Sequence, residues 1–328
     1  MKNIFEKYLI KAIEVLVVIF LFFLNNAYSA KIHPDAGTTS ASFLKIPVGA
    51  KASAMGGGFS AFPGYIYSFF YNPSSAASIE RKVFSFSHNI YFNDISQYVL
   101  VYGFNPYFIK DKKDYLSFSL NYINYGSMEK RSGLYETDPF SPSSVEGSFK
   151  AKDMEILMNY SFFHSKDTML GGNIKFISES IENENGRVFS ADIGGIKKAN
   201  IKNRDFYFGL SILNIGTKIK MISEGYSLPL AFKIGVSTKF NKSLLSFDML
   251  KYSDNYPYLI LGFENNIAKD LYIRLGYRYR IYGNELGFWS GFSSGFGFDY
   301  NDFSFGYSLN SYGDLGYSHK IELTVKYK

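Results

Sequence analysis

The sequence predicts an all-β protein, a transmembrane antiparallel β-barrel of about 14 strands with an N-terminal plug. Three observations predict it. Segments of about nine to thirteen residues alternate apolar and polar side chains with the period of two that belongs to strands. The chain carries 33 Phe, 28 Tyr and 29 Gly in 328 residues, and aromatics make up 19% of it, a composition that favours strands and tight bends. Beyond the first 29 residues, no apolar run approaches the roughly 20 residues that a spanning helix needs.

The amino terminus reads as an address. Lys2, Lys7 and Lys11 precede the apolar run "VLVVIFLFFL" (Val15 to Leu24), and Ala27 and Ser29 in "NNAYSA" are the small residues that signal peptidase requires. Residues 1–29 are therefore expected to be a cleaved signal peptide, the alternative being a retained anchor helix. Export narrows the location to periplasm, exterior or outer membrane. The strand pattern selects the outer membrane, because only helices and closed barrels satisfy every backbone polar group inside a bilayer.

Residues 30–82 do not alternate. They are rich in Ala, Gly and Ser, with Pro63 and Pro73 as breakers. A segment of that length ahead of a barrel is about what fills the lumen, so it is expected to be an internal plug with a short helix around Ala50 to Met55. "MGGGF" (Met55 to Phe59) is no phosphate loop, since the downstream Gly-Lys-Ser/Thr is missing.

Residues 83–328 are expected to be the barrel. Its strands run 83 to 91, 97 to 105, 114 to 125, 150 to 162, 168 to 180, 187 to 199, 204 to 214, 229 to 240, 243 to 252, 257 to 266, 270 to 282, 291 to 300, 302 to 310 and 318 to 327. Leu116, Phe118, Leu120 and Tyr122 alternate with Ser117, Ser119 and Asn121, and Phe303, Phe305, Tyr307 and Leu309 with Ser304, Gly306, Ser308 and Asn310. The two long connections, 126 to 149 and 215 to 228, fall at one end, as external loops of outer-membrane barrels do.

The segment "LYIRLGYRYRIY" decides between a soluble sheet and a membrane barrel. Leu271, Ile273, Leu275, Tyr277, Tyr279 and Ile281 share one face, and Arg274, Arg278 and Arg280 the other. Unpaired arginines in a dry core would cost several kcal/mol each. A hydrated lumen tolerates them, so these three and Lys233 are the lumen-facing candidates. A soluble sandwich or propeller, the alternative, requires neither an even strand count nor a one-sided loop bias.

Composition excludes other classes. There is no Cys, hence no disulfide framework, thiolate metal site or Cys nucleophile. The net charge of +6 is spread along the chain with no basic run among stacking aromatics, which argues against nucleic acid. His33, His88, His164 and His319 lack metal-ligand spacing, so neither metal nor cofactor is expected. His88 with Ser85 or Ser87 is the one candidate for hydrolysis, and neighbours on one strand are poorly placed for it. The protein is expected not to be an enzyme.

Three blocks carry a resemblance. "KIPVGAKASAMGGGFSAF...YNP" (Lys45 to Pro73), with Gly49, Ala50, Met55, Gly56, Gly57, Gly58, Phe59, Asn72 and Pro73, is similar to the N-terminal signature of the PorV/PorQ family of outer-membrane proteins. Gly209 to Ser237, and Ser311 to Tyr327 with Gly313, Asp314, Leu315, Gly316 and His319, resemble later blocks of that family. The chain departs from the signature where Gly64 and Tyr65 replace an acidic pair, where Ser74 and Ser75 follow Asn72-Pro73, and where Tyr327 is penultimate. The resemblance implies a FadL-like barrel of 14 strands closed by an N-terminal plug. It also implies partners: outer-membrane lipid, and exported proteins with a C-terminal sorting domain in a type IX secretion-like role, received at the loop Gly126 to Phe149. The alternative is a FadL-like passage for hydrophobic small molecules such as fatty acids, whose carboxylate Lys233, Arg274, Arg278 and Arg280 would meet.

Overall fold

A computed structural model describes residues 30–106, 114–131 and 145–327; the expected signal peptide lies outside them. Sixteen strands are present: β1 (Lys82–Ile90), β2 (Ser96–Phe104), β3 (Asp114–Arg131), β4 (Val145–Ser165), β5 (Thr168–Ile181), β6 (Glu184–Ile201), β7 (Arg204–Gly216), β8 (Ile219–Lys220), β9 (Gly225–Tyr226), β10 (Ala231–Phe240), β11 (Ser243–Tyr252), β12 (Tyr258–Ala268), β13 (Leu271–Arg280), β14 (Phe292–Tyr300), β15 (Phe303–Ser311) and β16 (Tyr317–Tyr327). Fourteen of them form one closed barrel, each hydrogen-bonded antiparallel to its neighbours, and β1 pairs with β16 to close it. β8 and β9 form a separate two-stranded ribbon.

The alternation has the predicted consequence. Phe84, Phe118, Ile156, Leu210, Phe232 and Leu323 point outward and are exposed, while Ser85, Ser117, Asn159, Ser211 and Thr324 point inward and are buried. An apolar belt encircling a closed barrel of polar-inside strands is the form a sheet takes in a bilayer, where hydrocarbon covers the outward side chains and closure leaves no strand edge.

Turn chemistry fixes the register. The connections 166–167, 202–203, 241–242, 269–270 and 301–302 are two residues each and lie at one end of the barrel. Lys202, Asn203, Asn241, Asp270 and Asn301 have positive φ there, the left-handed backbone that hairpin turns require and that Asn and Asp adopt most readily after Gly. Most of the longer connections lie at the opposite end, called the outer end after the loop asymmetry of such barrels; the exceptions are the two-residue 182–183 at the outer end and 105–113 at the short-turn end. Much of the long loop expected at 126–149 is instead strand. β3 and β4 run on to Arg131 and from Val145, with register shifts at Asn124/Ser127 and Lys130/Arg131, and only residues 132–144 fall outside the described residues. The mostly polar side chains of 127–131, with Met128 the one exception, hid this extension, because away from lipid and core a strand has no apolar face to alternate.

Residues 30–81 run through the barrel from the outer end to the short-turn end. The predicted helix forms as α1 (Ala50–Ala54), flanked by 3-10 turns at Ser42–Lys45, Ile66–Phe70 and Pro73–Ser78. Their apolar side chains meet inward residues of the wall in separate clusters, such as Phe43 with Ile123, Ile177 and Val188, and Tyr67 and Phe69 with Val99, Val101 and Leu157.

Glycines in the wall let the segment approach so closely. A Cβ on Gly209 would stand 2.5 Å from the Ser60 carbonyl carbon, one on Gly194 2.8 Å from Pro73 Cδ, and one on Gly295 2.7 Å from Ala54 Cβ. Gly209→Val is therefore expected to destabilise the folded barrel by about 1–3 kcal/mol through overpacking. Gly172→Ala, whose Cβ would meet its nearest atom at an ordinary 3.5 Å, is expected to be neutral; heat-induced mobility shifts of both variants in detergent check the difference.

Candidate functional site

The site is the filled lumen, and it is built from the N-terminal segment outward. Gly49, at φ 81°, turns the chain into α1, and the Ala50 N–H donates to Glu322 Oε2 at 2.6 Å. Tyr65 donates to the same oxygen at 2.5 Å. The carboxylate at this point comes from the wall strand β16, where the resemblance had implied acids at positions 64 and 65. Gly56 and Gly57, both at positive φ, end the helix, and the Gly57 N–H donates to the Ala52 carbonyl at 2.8 Å. Met55 is buried against the wall, and Phe59 stacks on Phe62 with ring centroids 4.3 Å apart.

Asn72 ties the segment to the wall. Its Nδ2 donates to the Ser60 carbonyl at 2.6 Å and to the Gly195 and Leu210 carbonyls of β6 and β7 at 3.1 and 3.3 Å. Its Oδ1 accepts from Ser74 Oγ at 2.8 Å, capping the turn that Pro73 begins. Asn159 of β4 in turn donates to the Pro73 carbonyl at 2.8 Å. The motif residues thus sit where the segment meets the wall, and the Ser74 and Ser75 that depart from the signature are buried there too.

The four cations all point inward, but not all into water, which corrects the expectation of a hydrated lumen. Arg274 is 7% exposed and pairs with Glu264 at 2.7 Å, and Lys51 of the segment reaches the other Glu264 oxygen at 2.7 Å. Arg280, 2% exposed, pairs with Glu285 and donates to the Gly283 carbonyl at 2.7 Å and the Lys31 carbonyl at 2.9 Å. Lys233 lies 4.4 Å over the Tyr71 ring and donates to the Gly57 carbonyl at 3.3 Å. Arg278 stacks 4.1 Å over Tyr258, its Nε has no hydrogen-bond partner, and among the described residues no carboxylate lies within 4.0 Å of it.

Two spaces remain. A central cavity of about 50 Å³ lies between segment and wall, lined by Lys233, Arg278, Tyr71, Tyr252, Lys175 and Asn214 among others. A vestibule of about 980 Å³ opens at the short-turn end, bordered by Phe62, Tyr65, Lys239, Phe240, Tyr272 and Lys326. The first has room for one or two waters; a larger ligand needs the segment to move.

Sequence reasoning missed the polar belt beside the cavity. Gln97 donates to Asn121 at 3.0 Å, Asn121 to Glu155 at 3.3 Å, and Lys175 joins Glu155 at 3.7 Å, Asp192 at 2.8 Å and Asn214 at 2.6 Å. Inward alternation already marked Glu155, Lys175 and Asp192; the bulge that brings in Asn214, at φ 64° beside the Ala191/Ile193 register shift, left no such trace.

The outer mouth is closed by residues 30–46. Lys45 pairs with Asp254 in the connection after β11, Thr39 donates to the same Asp254 oxygen at 2.6 Å, and the Ala41 N–H donates to Glu179 at 2.8 Å. Burial pushes the Asp254 carboxyl up, but the Lys45 and Thr39 hydrogen bonds and the Lys45 charge outweigh it and hold the carboxyl below its ordinary value. In the carboxyl-terminal block, Gly313, Asp314 and Leu315 form a 3-10 turn, Gly316 at φ 99° ends it, and His319 points outward, its Nδ1 2.8 Å from the Tyr307 hydroxyl. His88 also points outward and stacks on Tyr98 at 4.5 Å, whereas Ser85 and Ser87 are buried inward. That pair lies on opposite sides of the wall and cannot act together. Among the described residues no cluster of three or more His, Asp or Glu could hold a metal.

A closed 14-strand antiparallel barrel with an N-terminal segment running through it is the FadL-like barrel fold. Solved structures with this fold include the Pseudomonas putida toluene transporter TodX, at a TM-score of 0.61 and 12% identity over 85% of this chain and 97% of that one. The Ralstonia pickettii toluene transporter TbuX follows at 0.59 and 11%, over 86% and 97%, and a Pseudomonas aeruginosa FadL homologue at 0.51 and 12%, over 86% and 98%. At such identities the likeness is one of fold. No protein-family model and no curated protein matches the chain.

Two outcomes are expected. Asn72→Ala leaves buried carbonyls without a donor and should cost about 1–3 kcal/mol, read as a lower denaturant midpoint in detergent. A depressed Asp254 stabilises the outer closure above the ordinary Asp pKa of about 4 and loses that contribution as pH falls through its own lower value. Hydrogen exchange at residues 38–46, taken relative to the intrinsic rate at each pH, should therefore rise below about pH 4. In Asp254→Asn it should be raised throughout.

Proposed function

We propose that the protein is a non-enzymatic outer-membrane channel for hydrophobic small molecules, with residues 30–81 as its plug. The observation that carries the reading is the fold shared, over most of both chains, with proteins described as toluene transporters and a monoaromatic hydrocarbon channel. The filled lumen supports it: the plug is held by side-chain hydrogen bonds and ion pairs that can be exchanged, and a central cavity and a vestibule lie against it. The outer closure at Lys45 and Asp254 is the gate, and the central cavity is the stopping point.

Arg278 sets the chemistry there. A guanidinium with no carboxylate within 4.0 Å, over a tyrosine ring and beside a cavity that mixes apolar side chains such as Leu213 and Ile260 with the cationic Lys233 and Lys175, suits a ligand with an aromatic or aliphatic body and an anionic end. Arg274 and Arg280, already paired, serve the closed structure.

The role in type IX secretion implied by the sequence resemblance rests on the three blocks alone. The core of its contact loop, 132–144, lies outside the described residues, and no observation favours that role over the channel.

The test is uptake of a radiolabelled hydrophobic acid and of toluene by cells whose own channels are deleted. Expression should restore both, and Arg278→Ala should lower uptake of the acid about tenfold or more, the loss of a charge-assisted pair worth about 1.5–3 kcal/mol, while sparing toluene. No gain in uptake of either compound by well-expressed, folded protein overturns the reading.

A further inference from the structure

The connection between β13 and β14 leaves the lumen and lies on the outside of the wall. Tyr277 belongs to the outward face with Ile273 and Leu275, which are 39% and 43% exposed, yet Tyr277 is only 8% exposed. Phe288 covers it: the ring centroids are 5.1 Å apart, and the Tyr277 hydroxyl donates to the Phe288 carbonyl at 3.0 Å. The cover is anchored at its base. β13 pairs with β14 only as far as Tyr277 opposite Phe292, and the Asn284 side chain takes over the ladder beyond, accepting from the Arg280 N–H at 2.8 Å and donating to the Arg278 carbonyl at 3.2 Å.

The strap so fixed turns an apolar surface outward. Trp289, the one tryptophan of the chain, is 68% exposed, and Phe288 44%. Leu286, Phe292, Leu315 and Tyr317 are exposed around them, the last two from the neighbouring connection and β16. The stretch from Gly287 to Phe292 reads "GFWSGF" and carries no charge. Below it Ser294 is the one polar residue on the outward face of β14 before Phe296 and Phe298, and Leu275 and Leu309 stand opposite it on the neighbouring strands and carry the apolar surface across.

We infer that this strap is a lipid-anchoring site, seating Trp289 and Phe288 among the acyl chains and carbonyls at the outer boundary of the bilayer. Continuity with the apolar belt selects lipid as the occupant, and indole at the headgroup level is its favoured setting. Of the acids beside the strap, Glu285 is paired with Arg280, and Asp314, next to Leu315, is exposed. The strap raises the apolar belt on the side of the barrel where β13 to β15 are only nine or ten residues long.

A single tryptophan makes the test direct. The full mature chain is folded into phosphatidylcholine vesicles with and without lipid brominated near the top of the acyl chain, and Trp289 emission is recorded. The expected result is a blue-shifted emission that loses most of its intensity to the brominated lipid and little to acrylamide; Trp289→Ser gives the tyrosine background. Emission at the position of aqueous indole, quenched by acrylamide and untouched by bromine, overturns the inference. So does shielding from both quenchers, which would mean that protein, a second copy included, covers the strap.

Discussion

One constraint governs this molecule: the wall is a single strand thick, so each side chain that faces away from lipid must be satisfied by the contents of the lumen. Closure of β1 on β16 disposes of the backbone. The inward side chains remain, and with hydrocarbon on one side their partners are the N-terminal segment, a little water and one another across the wall, as in Arg274 with Glu264. The segment is accordingly specified by hydrogen bonds to the wall as much as by apolar contact, with Asn72, Ala50 and Tyr65 each meeting a named wall atom.

The same constraint sorts the cations. A buried charge without a partner is costly, and a broken buried pair costlier still. Arg274 with Glu264, Lys175 with Asp192, and Arg280 with Glu285 conform. Lys320 and Lys233 donate to segment carbonyls, Pro47 and Gly57. Arg278 departs from the rule, with a ring face on one side and a cavity on the other. Departures from local consistency tend to coincide with functional positions, which is why the chemistry of the lumen is assigned to that residue.

The fold was legible because a barrel wall writes its environment into every second residue: "FSFGYSLN" and "IELTVKY" could be read as two-faced strands without any tertiary information. The strand count followed from the same reading, whereas the helix at Ala50–Ala54 was expected from the small residues of a segment that does not alternate. Three kinds of feature left no such mark. β3 and β4 beyond the membrane are wet on both faces and show no period. The partners of the arginines are set by cross-barrel geometry, so the reach of Arg280 to Lys31 across 249 positions could not be seen in a strand-by-strand reading. Tyr277 obeys the outward period and is nevertheless hidden, because a later stretch of chain folds back over it.

Strand length gives the rim its shape. β3 and β4 hold 18 and 21 residues, whereas β14 and β15 hold nine; at about 3.3 Å per residue the difference is roughly 30–40 Å of strand. The barrel is thus cut on the slant, like a quill, with a parapet of strand on one flank. The other flank is low in strand and carries the 281–291 connection instead, so the two sides of the rim present different material to anything that approaches it.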